Sequence, residues 1–172
     1  MTVVATALAV RAARAADAEQ IAAIWNHEAR ETFATTDTEP RDAAAQRAWL
    51  AAHSSAYPVL VAATENDGQS QIAGYAALTA YRPKPAFART VEDSVYVDRA
   101  WRARGVGRLL LSALLERATG LGHRSVIARI TAENVASRRL HEGLGFRLVG
   151  VEEEIAVKFG RWLDVAVYQR RL

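Results

Sequence analysis

The spacing of apolar residues in the first third of the chain predicts two helices between two strands. Asp17, followed three residues later by Gln20, resembles a capping box that opens a helix, and apolar residues then recur at helical spacing. Pro58 ends the second apolar-periodic segment, and a short apolar run follows it. The predicted elements are a strand over Ala7–Ala12, a helix from Asp17, a loop over Thr32–Pro40, a helix from Arg41 to about His53, and a strand over Val59–Thr64.

The rest of the chain mixes hairpin signals with single helices. An Asp67-Gly68 step between two strand-like runs is typical of a hairpin turn, so the strand before it and the run over Ile72–Ala76 are expected to pair antiparallel. Two prolines make Arg82–Pro85 a loop. The remaining predicted elements are strands over Val91–Val97, Ser125–Thr131, Phe146–Ile155 and Leu163–Gln169, a leucine-rich helix after Gly107 that closes at Gly120 and Gly122, and a helix over Val135–Glu142.

Helices that alternate with strands, some of which pair through hairpins, predict the α+β class: a mixed, mostly antiparallel sheet flanked by helices. At 172 residues, the chain is expected to form a single domain over 1–172. It contains no cysteine, which excludes disulfides, thiolate zinc sites and a cysteine nucleophile. We expect no metal.

The charge balance argues against nucleic acid as a partner. Lys and Arg exceed Asp and Glu by 22 to 19, a net charge of +3, whereas phosphate-backbone binding needs many clustered cations. The apolar stretch over Thr2–Val10 is too short to span a membrane and lacks the preceding positive charge of a signal peptide. The sequence therefore predicts a cytoplasmic protein that uses neither membrane nor nucleic acid.

The segment with the clearest chemical signal runs from Val95 to Arg108, where a strand is followed by a Gly- and Arg-rich turn and a helix. Free N–H groups at a helix N-terminus bind phosphate oxygens, and glycine lets the backbone approach a ligand closely. Arg102, Arg104 and Arg108 add positive charge. The alternative interpretation is a tight turn in which Gly105 and Gly107 serve only geometry and the arginines form a solvated rim.

Two motifs resemble those of the GNAT superfamily of acetyl-CoA-dependent N-acetyltransferases. The first is Arg102-x-x-Gly105-x-Gly107, and the second runs from Asn134 through Ser137, Leu140 and His141 to Gly145-Phe146. The resemblance implies that the first motif, with Ala103 and Val106, binds the pyrophosphate of acetyl-CoA. It also implies that Asn134 binds the pantetheine or phosphate end, with Ser137 nearby. Asn134 is equally suited to be a helix N-cap.

Further segments resemble the phosphinothricin (methionine sulfoximine) acetyltransferase family within that superfamily. They are Asn26-His27, Thr38-Glu39-Pro40, Tyr81-Arg82, the run from Thr90 to Val97, Leu140-His141-Glu142 and the run from Gly160 to Val165. The resemblance implies acetylation of the α-amino group of a small amino-acid analogue by direct attack on acetyl-CoA. It also implies a homodimer.

By the same resemblance, Glu92 is the general base that removes a proton from the ammonium group of the substrate. The backbone N–H of Val95 polarises the thioester carbonyl, and Tyr96 and Val97 provide backbone contacts to the pantetheine arm. Glu92 could instead be an ordinary edge carboxylate. His141 stands where many superfamily members carry a tyrosine that protonates the departing thiolate, so it is predicted to be an acid, a base, or a structural residue at a helix end.

An amino-acid substrate also needs a cation for its carboxylate. Arg82, Lys84 and Arg89, on the loop before the Glu92 strand, are the expected partners, although the family often has arginine in place of Lys84. Phe33 and Phe87 are expected either to line the side-chain pocket or to belong to the core.

Two other functions remain open from the sequence. One is a GNAT enzyme for a different amine, such as a protein N-terminus, a polyamine or an antibiotic. Acidic residues in place of Arg82 and Lys84 would have favoured a polycation. The other is a non-catalytic acyl-CoA sensor, which would have no need for a base such as Glu92.

Overall fold

The computed structural model describes residues 8–66 and 69–172, and these form a mixed sheet with helices on both faces. Within them, seven strands lie in the spatial order β1-β2-β3-β4-β5-β7-β6. The strands are β1 (Ala9–Ala12), β2 (Val59–Asn66), β3 (Gln69–Ala80), β4 (Thr90–Val97), β5 (Ser125–Thr131), β6 (Arg147–Lys158) and β7 (Arg161–Arg171). All neighbouring pairs are antiparallel except β4 and β5, which are parallel, so the predicted α+β class is confirmed.

Four α-helices cover the sheet: α1 (Ala18–Glu31), α2 (Ala43–Ala52), α3 (Val106–Gly120) and α4 (Val135–Glu142). None of the helices in the described ranges is long and apolar enough to cross a membrane. Alternate residues of β2 bury opposite faces: Leu60 and Ala62 pack in the cluster that contains the leucines of α3, whereas Val61 packs with Ile21 and Ile24 of α1. The sheet is thus the middle layer of three, as the period of two along a strand requires.

The predicted boundaries hold well between residues 91 and 142 and less well elsewhere. The strand predicted over Ile72–Ala76, for example, extends over Gln69–Ala80. The strand over Ser125–Thr131 and the helix over Val135–Glu142 are found as predicted. The second helix begins at Ala43 rather than Arg41, because the carboxylate of Asp42 caps it by accepting from Ala45 N at 2.7 Å. β6 and β7 are longer than expected. Residue 7 and the predicted Asp67-Gly68 turn lie outside the described residues, but the antiparallel pairing of β2 with β3 is confirmed.

The predicted capping box at Asp17 and Gln20 is wrong. The carboxylate of Asp17 accepts from the backbone N–H of Arg14 at 2.7 Å and pairs with the Arg11 guanidinium, so it closes a 3-10 turn that precedes α1. The side-chain amide of Gln20 instead donates to Ser70 O at 2.8 Å and accepts from Ile72 N at 2.9 Å. Both side chains therefore fasten α1 to the sheet.

Gly74 allows β3 to pack closely against β4, because a Cβ at this position would lie 2.7 Å from the carbonyl oxygen of Tyr96. Overpacking of this kind costs about 1–3 kcal/mol. We expect Gly74→Ala to lower the free energy of unfolding, measured with urea, by about 2 kcal/mol. Gly120→Ala is the control, because nothing lies within 4 Å of a Cβ there. Equal stability of the two variants would contradict the packing argument.

Candidate active site

The site is organised by the early separation of the two parallel strands. β4 and β5 pair only from Thr90 with Ser125 to Glu92 with Ile127, although both strands continue beyond these residues. The opposite edge of β4 remains paired with β3 as far as Val97. A gap therefore opens between β4 and β5 after Glu92.

The gap exposes backbone groups of β4 that a continuous sheet would have used. Bonds from Tyr81 N to Thr90 O and from Asp98 N to Ala73 O show that the even-numbered residues of β4 bond to β3. Because this pattern alternates in antiparallel pairs, the backbone groups of Val95 and Val97 point toward β5. The N–H of Val95 therefore faces the gap, where the sequence predicted a donor to a thioester carbonyl.

A groove of about 590 Å³ lies on the α3 side of this gap. With the exception of Arg104, all predicted cofactor-binding residues line it: Val95, Tyr96, Val97, Arg102, Ala103, Gly105, Val106, Gly107, Arg108, Asn134 and Ser137. The guanidinium of Arg104 lies over the ring of Trp101 instead. The groove therefore brings together the two sequence motifs, which are about thirty residues apart.

The two glycines of the turn have different tasks. Gly105 adopts a left-handed φ of 80° just before α3, a conformation that favours glycine. A Cβ on Gly107 would lie 3.1 Å from Leu140 Cδ2, so this glycine lets α3 approach α4. The first backbone bond of α3 runs from Leu109 N to Gly105 O, so the preceding amides are not used by the helix and are available to an anion.

Arg102 and Asn134 each bond to the protein itself. The guanidinium of Arg102 pairs with the buried carboxylate of Glu28, and its Nε lies 3.4 Å from Val97 O. Asn134 caps α4, since its Oδ1 accepts from Ser137 N at 3.1 Å. The N-cap interpretation of Asn134 is therefore confirmed, and phosphate binding by Arg102 stays a prediction.

A second cavity, of about 360 Å³, lies on the α1–α2 side of the sheet and contains Glu92. Ala34 and Tyr96 line both this cavity and the groove, so the two spaces meet at β4. Burial raises the pKa of Glu92 above its ordinary 4.5; Asp93 and Glu152 add to the rise, and Arg129 opposes it. Burial also raises the pKa of Tyr96 to about 12, so that this hydroxyl stays protonated at neutral pH.

Sequence reasoning missed most of the wall of this cavity. The guanidinium of Arg41 lies 4.1 Å from the ring centre of Trp25 and 5.0 Å from that of Trp49. Trp25 Nε1 and the Tyr75 hydroxyl, both in the wall, are buried without a hydrogen-bond partner among the described residues. Unpartnered buried polar atoms are rare, and here they are donors available to a ligand. Two of the four tryptophans of the chain, Trp25 and Trp49, line this cavity, and these large aromatic residues were the feature of the sequence that could have indicated its wall.

The predicted substrate residues do not line this cavity. Arg82 packs over Tyr81 and Phe87 on its own loop, and neither Lys84 nor Arg89 is among the lining residues. Phe33 lines the groove instead and packs edge-on against Phe159. The carboxylate clamp predicted from Arg82, Lys84 and Arg89 therefore has no geometric support within a single chain and stays a prediction.

His141 is tied to a carboxylate that the sequence analysis did not single out. Its Nε2 lies 3.0 Å from Asp93 Oδ2 and its Nδ1 lies 2.7 Å from Ser137 O; His141 is 3% exposed and Asp93 6%. Burial lowers the pKa of His141, but the hydrogen bond and charge of Asp93 outweigh burial and raise that pKa above its ordinary 6.5. Because both ring nitrogens face acceptors, this geometry favours a doubly protonated, positively charged ring on His141. His141 and Glu92 lie on opposite faces of β4.

Comparison with known proteins agrees with this geometry. Residues 18–146 match the model of the acetyltransferase (GNAT) family. The chain is 39% identical to a phosphinothricin N-acetyltransferase of Streptomyces coelicolor, over 91% of each chain. It is 40% identical to an L-methionine sulfoximine/L-methionine sulfone acetyltransferase of Pseudomonas paraeruginosa, over 95% of this chain and 94% of the other.

Two solved structures resemble the whole fold. The yncA acetyltransferase of Salmonella typhimurium, solved with its cofactor acetyl-CoA, superposes with a TM-score of 0.90 at 38% identity, covering 96% of this chain and 94% of the other. A phosphinothricin acetyltransferase of Sinorhizobium meliloti in complex with acetyl-CoA gives 0.89 at 36% identity, covering 96% and 88%. The chain belongs to the acetyltransferase (GNAT) family and is an N-acetyltransferase.

The raised pKa of His141 has a consequence for stability. A group whose pKa is higher in the folded state stabilises the fold below its unfolded pKa, and this contribution is lost as pH rises through the folded pKa. We expect Asp93→Asn to cost about 3 kcal/mol in urea unfolding at mildly acidic pH, as for a broken buried pair, and less at alkaline pH.

The matched control for this measurement is Asp42→Asn, because asparagine also caps a helix and Asp42 has no partner of this kind. Its effect on the free energy of unfolding should be small at every pH. A cost of Asp93→Asn that does not fall as pH rises would contradict the assignment of an ion pair.

Proposed function

We propose that this enzyme transfers the acetyl group of acetyl-CoA to the α-amino group of a small amino-acid analogue of the phosphinothricin, methionine sulfoximine or methionine sulfone class. The observation that carries the proposal is the meeting of two spaces at one strand. A groove suited to a long phosphorylated ligand and a polar cavity with a carboxylate share β4 at its gap. The relatives named for these substrates support the same class.

The proposed orientation of acetyl-CoA in the groove runs from the N-terminus of α3 to the gap beside β4. Its pyrophosphate would lie at the N-terminus of α3, where Gly105, Val106 and Gly107 present backbone amides and Arg108 adds charge. Its pantetheine arm would run along the open edge of β4, in the manner of an added strand. A small cavity of about 50 Å³ lies at the gap, and Val95 and Asn134 both line it. The thioester would then reach the gap beside these two residues.

The reaction proceeds by direct attack. Glu92 accepts a proton from the substrate ammonium, directly or through water, and the neutral amine attacks the thioester carbon. The carbonyl oxygen gains negative charge in the tetrahedral intermediate, and the N–H of Val95 stabilises it. The C–S bond then breaks and the nitrogen loses its second proton to solvent, which leaves the amide and the CoA thiolate. The raised pKa of Glu92 suits it to this task, because a base with a pKa closer to neutrality binds the proton more strongly.

The imidazolium of His141 acts through its charge. His141 and Val95 line the same small cavity at the gap, so a positive charge lies close to where the thiolate departs. Both ring nitrogens already face acceptors, and proton transfer from His141 to sulfur would require it to leave Asp93 or Ser137. We therefore assign His141 to electrostatic stabilisation of the leaving group.

A homodimer through β6 belongs to the same proposal. β6 is an edge strand, and large apolar side chains along it and in its hairpin are about half exposed: Leu148, Val149, Val151, Ile155, Val157, Phe159 and Trp162. Exposed apolar edges of this length are normally covered. Ile155 and Ala156 also line the Glu92 cavity, so a second copy on β6 would lie at the edge of the substrate site.

Sedimentation tests the dimer. We expect the enzyme to sediment as a dimer and Val149→Lys to shift it toward the monomer, because a charge in the centre of the interface loses its solvation. Leu121→Lys, an exposed apolar residue after α3, is the matched control and should stay dimeric. A monomeric wild-type enzyme at micromolar concentration would contradict the proposal.

Release of CoA in the presence of a panel of amines tests the function. We expect turnover with methionine sulfoximine, methionine sulfone or phosphinothricin, and acetylation of the α-amino group shown by mass spectrometry. Turnover with spermidine or a peptide N-terminus and with none of the three amino-acid analogues would contradict the substrate class. Binding of acetyl-CoA without any acetylated product would favour the sensor hypothesis.

In the same assay, Glu92→Gln tests the base. The variant should lower turnover by about 10²-fold or more, because the amide cannot accept the ammonium proton. It should still bind acetyl-CoA, since the Glu92 side chain lies on the cavity side of the sheet and does not line the groove. Unchanged turnover would remove Glu92 from the mechanism.

A further inference from the structure

Arg129 is the cation on the strand next to the proposed base. It lies on β5, two residues after Ile127, which pairs with Glu92. Since side chains repeat with a period of two along a strand, Arg129 and Glu92 share a face, and both line the same cavity. In a regular sheet, two residues along and one strand across, their Cβ atoms would lie roughly 8 Å apart, and the separation of the strands after Glu92 widens this distance.

The guanidinium of Arg129 already holds a carboxylate. Its Nη1 donates to Glu152 Oε1 at 3.1 Å and its Nη2 donates to Glu152 Oε2, a two-point arrangement in which both carboxylate oxygens are used. Glu152 comes from β6, immediately before an irregularity in the pairing of that strand with β7. This forked geometry is the one in which arginine binds any carboxylate, including that of an amino acid.

We propose that Arg129 binds the α-carboxylate of the acceptor amino acid, which displaces the carboxylate of Glu152 from the guanidinium. This inference rests on the proposed function. In an α-amino acid the amine and the carboxylate are attached to one carbon. A substrate whose ammonium lies at Glu92 therefore has its carboxylate only a few ångströms away, on the side of the strand where Arg129 lies. In the free enzyme, Glu152 neutralises Arg129 and occupies its fork.

Exchange is feasible because the pair is accessible. The side chains of Arg129 and Glu152 are 35% and 39% exposed, and exposed ion pairs contribute only about 0–1 kcal/mol to stability. A substrate carboxylate can therefore replace Glu152 at little cost, and variants of either residue are expected to fold. By contrast, the Asp93–His141 pair is buried and offers no such access.

The other arginines near the site are less suited to the α-carboxylate. Arg41 lies in the loop before α2, against the rings of Trp25 and Trp49, whereas Arg129 lies on the strand that pairs with β4 at Glu92. Arg82 lies outside the cavity. Among the described residues that line the cavity, Arg129 is therefore the cation whose strand pairs with β4 at Glu92.

The test compares two acceptors that differ only in the carboxylate: methionine sulfone and the primary amine that lacks its carboxyl group. For Arg129→Gln we expect the KM of methionine sulfone to rise about 10- to 100-fold, the loss expected for a hydrogen-bonded charge pair, with a smaller change in kcat. The kcat/KM of the decarboxylated amine should stay nearly unchanged. The preference of the enzyme for the amino acid, expressed as the ratio of the two kcat/KM values, should therefore collapse.

Glu152→Gln is the complementary variant. It removes the internal competitor while leaving Arg129 in place, so the KM of methionine sulfone should fall, and the preference for the amino acid should increase. Arg147→Gln is the matched control: Arg147 lies on β6 as Glu152 does, but bonds to Gln169 away from the cavity. Its preference should equal that of the wild-type enzyme.

The outcomes separate this inference from the proposed function. If the wild-type enzyme acetylates methionine sulfone and Arg129→Gln keeps the wild-type preference, the role of Arg129 is wrong and the function stands. If the preference for the amino acid over the decarboxylated amine is lost in Arg41→Gln or Arg82→Gln but kept in Arg129→Gln, the substrate carboxylate binds to that other arginine and the proposal is wrong. A wild-type enzyme that acetylates only the decarboxylated amine would overturn both proposals.

Discussion

The separation of β4 from β5 after Glu92 is the constraint on which the rest of the site depends. Parallel strands that stayed paired would use the backbone groups of Val95 and Val97 within the sheet and would leave no passage between its faces. Because buried backbone donors require partners, the open edge of β4 favours a ligand that can bond to it as a strand does. The same opening connects the groove on one face with the cavity on the other.

Two adjacent carboxylates at the start of the gap have different environments because side chains alternate between the two faces of β4. Glu92 and Asp93 are neighbours in the chain, so their side chains leave β4 on opposite faces. Glu92 shares a cavity with Arg129, whereas the buried Asp93 lies 3.0 Å from His141 Nε2. One carboxylate therefore faces a cavity, as the proposed base requires, and the other is held beside His141.

The parts of the structure that the sequence predicted are those set by local rules. Gly105 and Gly107 mark a strand–turn–helix unit, Asn134 marks the start of α4, and both motifs lie in one groove as expected. The residues that the sequence did not predict depend on sheet register. Nothing near Arg129 in the chain indicates that it lies beside Glu92, because the two are brought together by the pairing of Glu92 with Ile127.

The same limit accounts for the predictions about Arg82 and Arg102. Arg82 is close to Glu92 in the chain, and closeness in the chain suggested closeness in space. Its guanidinium packs over Tyr81 and Phe87 of its own loop, however, and Arg82 does not line the Glu92 cavity. Arg102 belongs to the phosphate motif, but its guanidinium meets Glu28, which lies 74 residues away on α1. Side chains of this length are positioned by partners that only the assembled sheet and helices provide.

The loop over residues 32–40 shows that the cavity is largely preformed. Ala34 lines both spaces, and the loop is held from distant elements: Thr131 Oγ1 donates to Phe33 O at 2.5 Å, and Lys158 Nζ donates to Thr35 O at 2.8 Å and to Glu28 O at 3.1 Å. Lys158 is 1% exposed, and burial lowers its pKa, with Asp37 and Glu28 opposing that fall. A buried ammonium that bonds two carbonyls fixes the backbone more firmly than exposed side chains do, because losing either bond leaves a desolvated polar group. The position of the loop therefore depends on the end of β6, and so does the shape of the space where the groove and the Glu92 cavity meet.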